Sequence, residues 1–237
     1  MNSQNKNNID LENSTGNQLF PVFLKLNQLK VLLVGAGNIG LEKLEAVLAN
    51  SPETEIDIVA ETFLPKLIEL VKDYPKVKLH SKRFDAADLE GHDLVIIATG
   101  DNVLNSEIRI LARKRHLLIN VADKPDLCDF YLGSIVKKGD LKIGISTNGK
   151  SPTVAKRLKE IFQNNLPDEL DLTLQQMSKL RKTLGGDFSH KVKELNKATA
   201  SLVENSIEKP VSREISWKLV AAVFAGLSLI VIMFKYQ

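Results

Sequence analysis

The sequence predicts an α/β protein built on a Rossmann-type parallel sheet, and three observations lead to this prediction. Short β-branched runs alternate with helical patterns over the first half of the chain, as they do in parallel sheets. A glycine-rich turn, GAGNIG at 35–40, stands directly between the first strand and the first helix. The run Leu94–Ala98 is apolar throughout, as expected of a strand that is covered on both faces. A small β segment, a helical region and a C-terminal transmembrane helix complete the predicted fold.

The predicted elements follow one another at short intervals. Five strands are expected at Lys30–Val34, Glu55–Val59, Val77–Leu79, Leu94–Ala98 and Leu117–Val121, with helices at Ile39–Ala49, Pro65–Asp73 and Ser106–Arg115. A hairpin then pairs Phe130–Ile135 with Leu141–Ser146 across the turn KKGD. Ser151 and Pro152 begin the next helix, since a hydroxyl caps free amides and Pro suits the first turn. Two further helices are predicted over 168–183 and 189–206.

Composition excludes several classes of protein. The 32 basic and 29 acidic residues leave a net charge of only +3, too small a bias to argue for nucleic acid. The single cysteine, Cys128, excludes a disulfide or a cysteine-based metal cluster within one chain. The four histidines have no ligand spacing, so the sequence predicts no metal site.

The glycine-rich turn predicts a dinucleotide site formed by Gly35, Ala36, Gly37, Asn38, Ile39 and Gly40. In this pattern the first glycine permits a tight turn and the second lets backbone amides approach a pyrophosphate. The third glycine allows the helix to pack closely on the strand, and the helix N-terminus favours the phosphate charge.

Further cofactor contacts are expected at the carboxyl ends of the strands. Glu61 and Thr62 stand about twenty residues beyond the last glycine, where an acid binds the adenosine ribose. A carboxylate there repels a 2′-phosphate, so NAD is favoured over NADP. Thr99 with Gly100 at the end of the fourth strand, and Asn120 with Val121 at the end of the fifth, are expected beside the second half of the dinucleotide.

The N-terminal end of the chain is polar, whereas the C-terminal end is apolar. Residues 1–18 are polar and Asn-rich, which predicts a disordered lead-in and no secretory signal. Residues 219–234 carry no charge, and the stretch 217–236 is long enough to cover roughly 30 Å as a helix. The sequence therefore predicts a single-pass C-terminal anchor at 217–236 after a linker at 207–216, with the rest on the cytoplasmic face of a membrane. The alternative is a buried core helix or a dimer-contact helix.

Residues 120–157, NVADKPDLCDFYLGSIVKKGDLKIGISTNGKSPTVAKR, indicate which kind of dinucleotide-binding protein this is. Asp123 ends a predicted strand, an aromatic-led strand follows, and a second strand runs into STNGKSP at the start of a helix. This order resembles the precorrin-2 dehydrogenase/sirohydrochlorin ferrochelatase family, the N-terminal half of siroheme synthase. The resemblance covers residues 19–166 well and the helical region to about residue 205 only loosely.

The resemblance implies NAD-dependent oxidation of precorrin-2 to sirohydrochlorin, and in many members the insertion of ferrous iron afterwards. One aspartate of the family is implicated in both steps, and Asp123 matches it. From the residues alone, Asp123 could equally begin a turn with Pro125. Family members are homodimers whose central strands cross between subunits, so the hairpin is expected to be a dimerisation segment.

The loop before the predicted fourth helix is a candidate anion site for a substrate that bears eight carboxylates. It consists of Ser146, Thr147, Asn148, Gly149, Lys150 and Ser151. The alternative is a capped turn without a ligand.

Domain limits follow from these assignments. They are an NAD-binding domain at 19–122, the β dimerisation segment at 123–150 and a helical domain at 151–206. Two other functions stay open. The glycine motif and the tail fit a membrane-tethered NAD-binding redox sensor equally well, and residues 30–121 fit a dehydrogenase of another small substrate. Neither alternative explains residues 123–157.

Overall fold

The computed structural model describes residues 16–207, with side chains described to residue 200. Its strands are Lys30–Ala36 (β1), Glu55–Phe63 (β2), Val77–Ser81 (β3), Leu94–Ile97 (β4), Leu118–Val121 (β5), Ser134–Lys138 (β6) and Leu141–Ile145 (β7). Its α-helices are Asn38–Asn50 (α1), Pro65–Val71 (α2), Asn102–Lys114 (α3), Pro152–Asn165 (α4), Leu170–Thr183 (α5) and Phe188–Ile207 (α6). The chain divides into two compact units, Met1–Asp168 and Glu169–Gln237.

The first unit contains a parallel sheet of five strands in the order β3-β2-β1-β4-β5. Leu33 and Ile58 belong to the core that α1 and α2 cover. Leu32 and Val95 point into the opposite core, which α3 covers. Because the chain moves outward from β1 to β3 on one side and from β4 to β5 on the other, the strand order reverses between β1 and β4. Ligands of such sheets bind outside the carboxyl ends of the strands at this point.

A separate antiparallel hairpin is formed by β6 and β7, with Lys138 opposite Leu141. Lys142 Nζ donates to the carbonyl oxygen of Asn50 at 2.7 Å, and Lys137 Nζ donates to that of Ala49 at 3.4 Å. Because α1 ends at Asn50, both lysines lie at its C-terminus, where free carbonyls and the helix dipole attract cations. The hairpin is therefore bound to the helix that begins at the glycine-rich turn.

Several predicted boundaries differ from the structure by one to three residues, and β2 ends four residues beyond the predicted Val59. Two other differences have local reasons. Helix α3 begins four residues earlier than Ser106, because the Asp101 carboxylate accepts hydrogen bonds from the backbone amides of Val103 and Leu104. The first hairpin strand begins at Ser134 and not at Phe130. The carbonyl of Phe130 instead accepts a hydrogen bond from Asn120 Nδ2 at 2.8 Å, and its ring packs against the sheet core.

The predicted fold class is wrong in one element, the C-terminal transmembrane helix. Within residues 16–207, no helix is both long and apolar enough to cross a membrane. The predicted span at 217–236 and residues 208–216 of the predicted linker lie outside the described residues. The fold is corrected to a Rossmann-type sheet with a hairpin and helices. The predicted localisation at the cytoplasmic face of a membrane depended on the anchor and is withdrawn with it.

Candidate functional site

The glycine-rich turn brings backbone segments too close together for side chains at two positions. Gly35 has a φ of +103°, and a Cβ built there would lie 2.6 Å from the carbonyl oxygen of Ala98. A Cβ on Gly40 would lie 2.2 Å from the carbonyl oxygen of Gly35. These two glycines therefore hold β1, α1 and the end of β4 in contact.

Gly37 has a different environment, because a Cβ built there would meet no atom within 4 Å. It is the N-cap residue of α1, and no side chain caps this helix end. The first amides of α1 are thus free to bind an anion, and nothing on Gly37 obstructs its approach. This geometry fits the pyrophosphate of a dinucleotide.

A cleft of about 740 Å³ opens at the carboxyl ends of β1, β2 and β4. Seven of the predicted cofactor residues line it, namely Gly35, Ala36, Gly37, Glu61, Thr62, Thr99 and Gly100. The other five predicted residues, Asn38, Ile39, Gly40, Asn120 and Val121, are not part of its lining. Val121 is only 2% exposed and packs in the core under α3.

Eleven of the 18 residues that line this cleft were not predicted as cofactor contacts. Four of them lie within or directly after strands, namely Val34, Val59, Ala60 and Ala98. The others are Lys82, Arg83 and Phe84 after β3, and Asp101, Val103, Leu104 and Glu107 around the start of α3. The rule that ligands bind beyond the carboxyl ends of the strands would have found Arg83, because it follows β3 by two residues. The Arg83 guanidinium forms an ion pair with the carboxylate of Glu61.

Thr99 is positioned in the cleft by a buried amide on α3. Asn105 is 2% exposed. Its Oδ1 accepts a hydrogen bond from Thr99 Oγ1 at 2.5 Å, and its Nδ2 donates to the carbonyl oxygen of Thr99 at 3.2 Å. The Thr99 hydroxyl also accepts a hydrogen bond from the amide of Asp101 at 3.3 Å, so one acceptor position remains for a ligand in the cleft.

Asp123 stands at the carboxyl end of β5 in an unusual backbone conformation. Its φ is +57°, a value that non-glycine residues adopt rarely and that Asp and Asn tolerate best. The turn is held by hydrogen bonds from the amide of Ala122 to the carbonyl of Ile97 and from the amide of Lys124 to that of Val121. The side chain of Asp123 is exposed and does not line the cleft of the single chain.

The segment after Asp123 is fixed by polar contacts. The amide of Val121 donates to Cys128 Sγ at 3.2 Å, and burial raises the pKa of this thiol. Arg109 on α3 donates two hydrogen bonds to the carboxylate of Asp129, and these bonds lower the pKa of Asp129 and raise that of Arg109. The turn that carries Asp123 therefore lies between anchored residues.

The loop 146–151 is ordered by its own hydroxyl groups. Ser151 Oγ accepts a hydrogen bond from the amide of Val154 and so caps α4. Thr147 Oγ1 donates to the carbonyl of Ser151 at 3.1 Å and accepts from its amide at 3.2 Å. Asn148 and Gly149 adopt positive φ values of 53° and 73°. The side chain of Lys150 is exposed, and none of the six residues lines the cleft.

Comparisons with known proteins agree with these features. Residues 22–134 match the family model described as putative NAD(P)-binding, and residues 138–165 match that of the sirohaem biosynthesis protein central domain. A siroheme synthase of Methylococcus capsulatus is 32% identical over 68% of this chain and 33% of its own length. One of Pseudoalteromonas translucida is 36% identical over 75% of this chain and 35% of its own length. The chain thus spans about a third of these relatives.

A solved structure, that of SirC, a precorrin-2 dehydrogenase, matches with a TM-score of 0.61 and 25% identity. The match covers 76% of this chain and 88% of SirC. Fold, cleft and family models together define a protein of the Rossmann dinucleotide-binding class, and the predicted use of NAD is confirmed. Within that class, the predicted resemblance to siroheme synthases and precorrin-2 dehydrogenases is confirmed by the central-domain model, by the siroheme synthases and by the structure of SirC.

Proposed function

We propose that this protein is an oxidoreductase that converts precorrin-2 to sirohydrochlorin with NAD as the hydride acceptor. The observation that carries the proposal is the cleft at the strand-order reversal, with its uncapped α1 N-terminus and open Gly37, in a chain that matches a precorrin-2 dehydrogenase over most of its length. When bound, the nicotinamide accepts a hydride from the tetrapyrrole. The substrate also loses a proton, for which the protein has to supply a base.

Asp123 is the proposed base. An exposed carboxylate at the carboxyl end of a parallel strand is accessible to a substrate that approaches the nicotinamide. The positive φ of the residue is a further argument, because strained backbone is retained mainly at functional sites. Loop 146–151 would bind a carboxylate of the substrate through the exposed side chain of Lys150, because the amides of Asn148, Lys150 and Ser151 already donate hydrogen bonds within the loop.

Homodimerisation is part of the proposal, because Asp123 and the loop 146–151 lie outside the cleft of the single chain. Apolar side chains are exposed on the segment before β1, with Phe20 85% and Phe23 70% exposed. Together with Tyr131 and Ile135 of the hairpin region, this segment lines a second, largely apolar cavity of about 480 Å³. Changing Phe20 and Phe23 together to Ser should shift the sedimentation coefficient from that of a dimer to that of a monomer.

An anaerobic assay of the full-length chain with precorrin-2 and NAD tests the activity. We expect NADH and the sirohydrochlorin spectrum to appear together, and a loss of about 10²-fold or more in Asp123→Asn. Asp126→Asn is the matched control, because Asp126 is an exposed carboxylate three residues away in the same segment. Full activity in Asp123→Asn would show that another group is the base, whereas NAD binding without turnover would favour an NAD sensor.

A second anaerobic assay, with sirohydrochlorin and ferrous ion, tests metal insertion, in which ferrous ion would be a second substrate. Among residues 16–207, no group of three or more His, Cys, Asp or Glu side chains is arranged to hold a metal ion. We propose that Asp123 accepts the pyrrole protons that chelation releases. Siroheme should form on addition of ferrous ion to sirohydrochlorin and the wild-type protein, and not with Asp123→Asn.

A further inference from the structure

The adenosine end of the cleft contains a carboxylate and a guanidinium that neutralise each other. Glu61 on β2 and Arg83 after β3 stand at the carboxyl ends of neighbouring strands, since Ala60 is in register with Ser81. Arg83 Nε donates to Glu61 Oε1, and both side chains line the cleft. They are 88% and 58% exposed, respectively, so that a ligand in the cleft can reach both. The repulsion that Glu61 alone would exert on a 2′-phosphate is thereby offset.

Arg83 is the more available of the two cations on this wall. Lys82 Nζ lies 2.5 Å from Asp88 Oδ1, and the Asp88 carboxylate is only 12% exposed. Asp88 also accepts a hydrogen bond from the amide of Asp85, which fixes it in place. Among the residues described, Glu61 is the only recorded partner of the Arg83 side chain. Exposed ion pairs of this kind are held weakly, and a guanidinium binds phosphate through two parallel hydrogen bonds.

We infer that Arg83 determines cofactor specificity by letting the cleft accept NADP as well as NAD. With NAD bound, Glu61 would accept hydrogen bonds from the ribose hydroxyls and keep its ion pair with Arg83. With NADP bound, Arg83 would pair with the 2′-phosphate and still offset the charge of Glu61. The inference depends on the proposed placement of the dinucleotide in this cleft.

Calorimetric titration of the full-length chain with NAD and with NADP tests the inference without using catalysis. We expect wild-type dissociation constants for the two nucleotides within about tenfold of each other. Arg83→Gln should weaken NADP binding about tenfold or more and change NAD binding less than about threefold. Raising the salt concentration should weaken NADP binding in the wild type more than in Arg83→Gln, because the lost contact is an exposed charge pair.

Lys82→Gln is the matched control, since Lys82 is the neighbouring cation on the same wall but is already paired with Asp88. It should leave the ratio of the two affinities nearly unchanged. Three results would overturn this inference and leave the proposed cleft standing. They are NAD binding without detectable NADP binding, an equal loss of affinity for both nucleotides in Arg83→Gln, and the same change of affinities in Lys82→Gln. If neither nucleotide binds, the proposed cleft and this inference are both wrong.

Discussion

Arg109 Nη2 donates a hydrogen bond to Asp129 Oδ1 at 2.7 Å, and this contact joins α3 to the segment that follows Asp123. The other carboxylate oxygen accepts from Arg109 Nη1 and from the backbone amide of Ile119. The guanidinium is 13% and the carboxylate 30% exposed. Because the pair is bidentate and partly buried, it contributes more to stability than a typical surface ion pair.

Replacing Asp129 by Asn should lower the free energy of unfolding by about 2 kcal/mol, because Arg109 would lose its anionic partner in a partly buried position. Urea unfolding followed by circular dichroism measures the change. Asp126→Asn, at an exposed position nearby, should stay within about 0.5 kcal/mol of the wild type. Equal effects of the two substitutions would contradict this assignment.

The same pair predicts a dependence of stability on pH. The hydrogen bonds from Arg109 hold the pKa of Asp129 below its usual value, so the native carboxyl stays ionised where the unfolded chain already binds a proton. This contribution is fully present above the unfolded pKa of about 3.9 and is lost as the pH falls through the lower native pKa. Urea midpoints of the wild type should therefore fall more steeply below about pH 4 than those of Asp129→Asn. Parallel pH profiles would argue against the pair.

Two glycines of the same turn should respond differently to alanine. Gly40→Ala places a methyl group 2.2 Å from the Gly35 carbonyl oxygen, so both thermal stability and NAD affinity should fall. Gly37→Ala meets no protein atom within 4 Å and has an extended backbone that alanine tolerates. It should leave the melting temperature unchanged and weaken NAD binding about tenfold, because the pyrophosphate is proposed to approach the backbone at Gly37. Undiminished NAD affinity in Gly37→Ala would refute the proposed phosphate position.

Asn105→Ala should destabilise the protein by about 2 kcal/mol, because the Thr99 carbonyl and hydroxyl lose buried partners. NAD affinity should fall as well, since the hydroxyl is then free to turn away from the cleft. Urea unfolding and calorimetry provide the two measurements. Asn102→Ala, at the exposed first position of the same helix, serves as the control and should change neither quantity.

Cys128 should be a slow nucleophile in the native protein. Burial raises the pKa of its thiol, and reaction with iodoacetamide requires the thiolate. At pH 8 we expect alkylation of the folded chain to be at least about tenfold slower than that of the same chain in urea. Mass spectrometry of timed samples gives both rates directly, because the chain has a single cysteine. Similar rates would mean that the thiol is not shielded.

Local sequence signals predicted most of the sheet. Strands such as β1 and β4 are short apolar runs with sharp polar limits, and the start of α4 is determined by Ser151 and Pro152, which are adjacent in sequence. The true start of Ser134–Lys138 was not predictable in this way. It depends on Asn120 binding the Phe130 carbonyl across ten residues of sequence, a contact that only the folded chain brings about.

The cleft was predictable to the extent that it follows the strand ends. Glu61 and Thr99 lie where the pattern predicted them, whereas the side chain of Val121 points into the core. The position of Arg83 could have been predicted from the end of β3, but its pairing with Glu61 across 22 residues of sequence could not. Asn105 was missed because its role arises from its contacts with Thr99, which no spacing rule predicts.

The two lysines of the hairpin that bind the last carbonyls of α1 have a mechanical consequence. The helix has 13 residues and is therefore about 20 Å long, with the glycine-rich turn at one end and Lys137 and Lys142 at the other. A hydrogen-bonded helix of this length moves as a rigid body. A shift of the hairpin caused by the proposed partner subunit would therefore also shift the glycine-rich turn, and a phosphate bound at the turn would in the same way affect the hairpin.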